Sequence, residues 1–128
     1  MTNGIGNPLG AYSPVRVVSL GVAKLVFVSG LTAGAAAPED AAAQAELIFA
    51  RMKELLVESG GDLRHVVKIT TFLTDMDDYA SYNAVRNRVF AGLDEPPASA
   101  TVGTTRLVRP GCRIEIEAVA VIAAQPQF

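Results

Sequence analysis

Arg113-Ile114-Glu115-Ile116-Glu117-Ala118-Val119-Ala120-Val121-Ile122-Ala123 is the stretch that decides how this chain is built. Its residues alternate with a period of two, the mark of a β-strand. One side carries Ile114, Ile116, Ala118, Ala120 and Ile122, and the other carries Glu115, Glu117, Val119 and Val121. Past its glutamates the second side is apolar as well. A strand of this kind belongs to a sheet with one face under a helical layer and the other in need of a cover. Copies of the same chain can supply that cover, and a closed cyclic oligomer does so without leaving a free apolar patch.

Working outward, Ala98 to Leu107 reads as the preceding strand, joined to the last one through Val108-Arg109-Pro110-Gly111-Cys112. Val66 to Leu73 is rich in β-branched residues and reads as another strand. Near the start, Val15 to Leu20 and Lys24 to Ser29 flank Gly21-Val22-Ala23 and read as a hairpin. Pro38-Glu39-Asp40 suits the opening of a helix, in which Ala41, Ala45, Ile48, Met52 and Leu55 recur at helical spacing until Gly60-Gly61. Asp75 to Asp78 offer capping carboxylates to a second helix, with Met76, Tyr79, Tyr82, Val85, Val89 and Phe90 along one face. The order β-β-α-β-α-β-β is of the α+β class, with two helices covering one face of the sheet. With no repeat or linker in view, residues 1–128 are expected to form a single domain, and residues 1–14, rich in Gly, Asn and Pro, a loop or arm.

Composition narrows the function. Half of the residues are hydrophobic (50%) and mean hydropathy is +0.31, more apolar than a small soluble monomer needs. A net charge of −2 without any run of Lys or Arg argues against a nucleic-acid partner. No basic segment followed by an apolar core opens the chain, and no apolar run approaches the roughly 20 residues of a membrane span. A soluble, cytoplasmic protein without a membrane partner is expected. Cys112 is the only cysteine, and His65 has no companion at ligand spacing, so neither a disulfide nor a metal site is expected. Glycine spacing for a phosphate cradle is missing too.

Several segments together resemble the Rid (RidA/YjgF) family over essentially the whole chain. They are Gly10-Ala11-Tyr12, Phe27-Val28-Ser29-Gly30, Asp40-Ala41-Ala42-Ala43-Gln44-Ala45, Val67 to Asp75, Tyr82-Asn83-Ala84, Pro97-Ala98 and Ile114 to Val121. The resemblance implies a chorismate-mutase-like fold and a homotrimer with small-molecule pockets between neighbouring subunits. It implies hydrolysis of enamines and imines to ketoacids and ammonia, with no cofactor. Carried over by position, the pocket residues are Tyr12, Ser29, Gly30, Asn83, Ser99 and Thr101, with Glu115 as the catalyst.

One departure bears on the substrate. Deaminating members of that family follow Pro-Ala with an arginine, whose planar fork holds a substrate carboxylate. Here Ser99 follows Pro97-Ala98 and brings neither charge nor fork. Arg106 would face away from Ser99 on a regular strand, and Arg109 and Arg113 fall in or beside a turn. The expectation is therefore a substrate other than the usual carboxylate-anchored 2-imino acid.

Glu115 carries the chemistry that remains. A carboxylate in a partly desolvated cleft has a raised pKa and both takes and gives a proton near neutrality. The other reading of Glu115 is an exposed edge glutamate. Ser29, Ser99 and Thr101 offer hydroxyls that orient a carbonyl, an imine nitrogen or a water; the alternative for Ser99 and Thr101 is strand packing. Tyr12 either closes the pocket or buries its ring, and Asn83 either meets substrate or holds a loop. The functional expectation is acid/base chemistry on an imine, enamine or activated carbonyl: hydrolytic deamination, tautomerisation, elimination or cyclisation. The rival is a non-catalytic metabolite-binding or regulatory trimer.

Overall fold

The computed structural model describes residues 10–124. The expected arm falls mostly on residues 1–9, outside that range, and residues 10–14 carry no helix or strand. Five strands and two α-helices follow in the expected order: β1 (Val15–Ser19), β2 (Ala23–Leu31), α1 (Ala41–Glu58), β3 (Val66–Leu73), α2 (Tyr79–Val89), β4 (Ala98–Gly103) and β5 (Ile114–Ala123). They form one sheet in the order β1-β2-β5-β3-β4. All neighbours are antiparallel except β3 and β4, which run parallel because α2 crosses over between them.

Local chemistry explains the boundaries. Asp40 caps α1 by accepting from the Ala42 amide at 3.3 Å, and Gly60 ends the helix at φ 93°, a left-handed conformation suited to glycine. Asp75 accepts from the Asp77 amide at 2.9 Å and so caps the 3-10 turn Met76–Asp78 that leads into α2; Asp78 makes no cap bond of its own. A second 3-10 turn, Leu63–His65, leads into β3, and the ring of His65 accepts from the Asp62 amide at 2.9 Å. The expected strand over residues 98–107 is shorter in the structure. Gly103 pairs with Leu73, the last residue of β3, and the Thr104 amide makes the final bond to that strand, to the Leu73 carbonyl at 2.8 Å. Alternation therefore does not extend to Arg106.

The helices cover a single face. Val26 and Val28 of β2, Ile69 and Leu73 of β3, and Ile114, Ile116, Ala118, Ala120 and Ile122 of β5 are buried with Ile48, Met52 and Leu56 of α1 and Tyr82 and Val85 of α2. Removing this apolar surface from water is the main drive to fold, at about 25 cal/mol per Å². Among the described residues no layer covers the opposite face. Phe27, Val102 and Val121 lie on it, 42%, 45% and 38% exposed, with Glu115 and Glu117 alongside. This is the bare apolar face that the reading of β5 requires.

Candidate functional site

Glu115 stands on the open face, paired across the ladder with Phe72. It lies directly over Gly30, where β2 breaks register between Val28 and Leu31. A Cβ built on Gly30 would come within 2.9 Å of the Glu115 carboxyl carbon and collide with its oxygen. Glycine at position 30 is thus a steric condition for this placement of the acid. Among the described residues no hydrogen bond or ion pair reaches the Glu115 carboxylate. Its pKa is raised above the ordinary carboxylate range, first by burial and then by the like charge of Glu117. A half-buried acid of this kind exchanges protons closer to neutrality than a surface glutamate does.

Ser29 and the segment carrying Tyr12 lie beside this acid. The Ser29 amide donates to the Pro14 carbonyl at 2.9 Å, and its Oγ donates to the Ser13 carbonyl at 2.6 Å. Residues 12–14 are thereby tied along the irregular end of β2, and Tyr12 projects from them, 52% exposed. Gly30 and Glu115 are thus in contact, with Ser29 and the segment carrying Tyr12 adjoining Gly30.

Asn83, Ser99 and Thr101 make a separate group, on the other side of the sheet. Ser99 pairs with Ile69 and Thr101 with Thr71, both buried residues that face the helices. Thr71 Oγ1 lies 2.5 Å from the hydroxyl of Tyr82 on α2. In one chain, then, Ser99 and Thr101 face away from Glu115. The expected site residues fall into two clusters on opposite faces of the sheet, and a single copy does not bring them together.

The second cluster is organised by Arg86, which the sequence reading passed over. From α2 its Nη1 donates to Ser99 Oγ at 3.1 Å, and Nη2 donates to Tyr79 Oη at 3.4 Å and to Asn83 Oδ1. The guanidinium carbon sits 5.4 Å and 6.0 Å from the ring centres of Tyr82 and Tyr79, within cation–π range. A guanidinium therefore does stand at Ser99, delivered from a helix and not from the strand. A signal was present: Tyr79, Tyr82, Asn83 and Arg86 fall three, four and seven residues apart, one stripe of a helix.

The arginines considered from sequence are placed differently. Arg113 donates to Asp78 from Nε at 2.8 Å and from Nη2 at 3.2 Å, fastening the start of β5 to the start of α2. The hydrogen bond and charge of Asp78 raise its pKa further. Arg106 and Arg109 line a different cavity of about 950 Å³, with Asp75, Cys112 and Arg113. Buried Gln44 holds the turn before β5, donating to the carbonyls of Pro38 at 2.7 Å and Gly111 at 3.1 Å and accepting from the Arg113 amide at 2.8 Å. Among the described residues there is no cluster of His, Cys, Asp and Glu able to hold a metal, and no helix is long and apolar enough to cross a membrane.

Comparison with known proteins follows the same lines. Residues 4–122 match the family described as Endoribonuclease L-PSP. The chain is 42% identical to Protein DfrA of Myxococcus xanthus, over 88% of this chain and 86% of that one. It is 33% identical to the 2-iminobutanoate/2-iminopropanoate deaminase of Rattus norvegicus, over 88% and 81%. Among solved structures, E. coli TdcF with bound serine superposes with a TM-score of 0.79 at 30% identity, covering 96% of this chain and 97% of that one. The mixed fold, its residue motifs and these matches agree: the chain belongs to the Endoribonuclease L-PSP family, the Rid or YjgF proteins.

Proposed function

We propose that the protein is a cofactor-independent, imine- or enamine-hydrolysing enzyme that works as a homotrimer, with Glu115 as its acid/base. The observation that carries this reading is the Glu115 carboxylate over Gly30, half-buried, without a hydrogen-bond partner among the described residues, and with a raised pKa. The name of the rat relative, an iminobutanoate and iminopropanoate deaminase, supports the same chemistry. The exposed apolar face supports self-association, since the monomer leaves Phe27, Val102 and Val121 in water. Neighbouring copies then supply the two halves of each pocket: Glu115, Gly30, Ser29 and Tyr12 from one, and Asn83, Ser99 and Thr101 from the next.

In the forward reaction a water oxygen adds to the carbon of a protonated C=N bond while Glu115 takes a proton from that water. The carboxyl group then returns the proton to nitrogen. The C–N bond breaks with its electron pair leaving on ammonia while the hydroxyl proton passes to the Glu115 carboxylate, and the carbonyl forms; the proton is then lost to solvent or to the ammonia. Ser29 Oγ, whose proton goes to the Ser13 carbonyl, would act as an acceptor that orients the attacking water. The test uses an imine released in situ by an amino-acid oxidase, its decay followed by absorbance. The native protein accelerates the decay, and Glu115→Gln lowers that acceleration at least about 100-fold. A variant as active as the native protein would contradict the assignment, and binding without turnover at high protein concentration would favour a metabolite-binding trimer instead.

A further inference from the structure

We propose that Arg86 is the specificity-determining residue of the second half-site, holding the carboxylate of a small planar substrate against Ser99. The charge balance points there first. Among the described residues, Arg51, Arg86, Arg88 and Arg113 are the arginines held by side-chain hydrogen bonds. Arg51 meets Glu54, Arg88 meets Glu46 and Arg113 meets Asp78. Arg86 meets only neutral oxygens, those of Ser99, Asn83 and Tyr79. A guanidinium carries more N–H donors than these acceptors use, and its charge is uncompensated.

The group is also pre-organised. Two tyrosine rings flank it, and the hydroxyl of Tyr82 is itself fixed by Thr71. Little side-chain entropy remains to be lost when an anion binds. The cavity in front of it, about 540 Å³, is walled by Phe90, Pro96 and Pro97, and among the described residues Arg86 is its sole charged lining residue. One fixed cation in an otherwise uncharged, partly apolar cleft matches a monoanion on a small organic body. A phosphate dianion would call for a second cation. A carboxylate that displaces the long 3.4 Å contact to Tyr79 frees an Nη2 proton beside the unused Nε–H, and the planar fork then gives it two parallel bonds.

This assignment names the substrate class of the site proposed above and rests on that reading for the catalytic half, so its test measures binding apart from turnover. Calorimetric titration compares pyruvate with pyruvamide, which has the same shape without the charge. Native protein and Glu115→Gln both bind the acid, and bind the amide at least about 30-fold more weakly, the ratio corresponding to about 2 kcal/mol. Arg86→Met binds acid and amide alike, and Arg86→Lys, which keeps the charge and the fold but loses the fork, falls between. Native protein without a preference for the acid, or either Arg86 variant with the full preference, overturns the proposal. Loss of turnover in Glu115→Gln with this preference intact would separate the catalytic from the anchoring role, and turnover unchanged by Glu115→Gln would sink the catalytic reading alone.

Discussion

Two side chains carry the proposed chemistry, and they differ in how visible they were beforehand. Glu115 stood out because the family resemblance carries the catalyst to its position; alternation alone does not separate it from Glu117 on the same face of the strand. Arg86 did not, because its importance lies in contact with Ser99, thirteen residues away on another element. Sequence showed that an arginine was missing from the strand; only the packing of α2 beside β4 shows one arriving from elsewhere. The raised pKa of Glu115 has a consequence for stability. Its folded-state value lies above its unfolded one, so between the ordinary carboxylate range and the raised value the native state binds the extra proton. Stability therefore falls as pH rises through that window, and the cost is fully present above it. Glu115→Gln removes the cost: its melting temperature should exceed that of the native protein at neutral pH, and the gain should vanish at a pH below the carboxylate range. An equal gain at both pH values would show that the ionisation is not responsible.

Among the elements, those with a strong period were legible and those ended by their neighbours were not. β5 and α1 followed from alternation and helical spacing, since their own side chains determine which face is buried. The end of β4 did not, because it is fixed by where β3 stops. Gln44 is a related case: a polar residue on the buried stripe of α1, between Ala41 and Ala45, whose partners lie in turns far along the chain. It bridges the start of α1 to the turn that launches β5, and so steadies the approach of Glu115. Gln44→Leu keeps the volume but leaves the carbonyls of Pro38 and Gly111 and the amide of Arg113 without that partner. The loss should be roughly 3 kcal/mol, read as a lower denaturant midpoint with an unchanged slope.

For the whole molecule, the placement of site residues on opposite faces of one sheet is the governing fact. The chain reads as a layered α+β unit from its sequence, and the bare sheet face follows from β5 alone. Which residues share a pocket does not follow, because that depends on how copies meet. Glu115 and Gly30 lie on one face and Arg86 with Ser99 on the other, so the proposed site takes its halves from neighbouring subunits. Subunit mixing tests this most directly. Glu115→Gln lacks the acid/base and Arg86→Met lacks the carboxylate anchor, so with substrate well below saturation each falls to roughly one thirtieth of native hydrolysis or less by the account above; the two are unfolded together in equal amounts and refolded. Random assembly into cyclic oligomers should restore about one quarter of native imine hydrolysis, since each interface has an even chance of an intact Glu115 and an even chance of an intact Arg86 opposite it. Mixed protein that stays as inactive as either variant alone would contradict a site shared between copies.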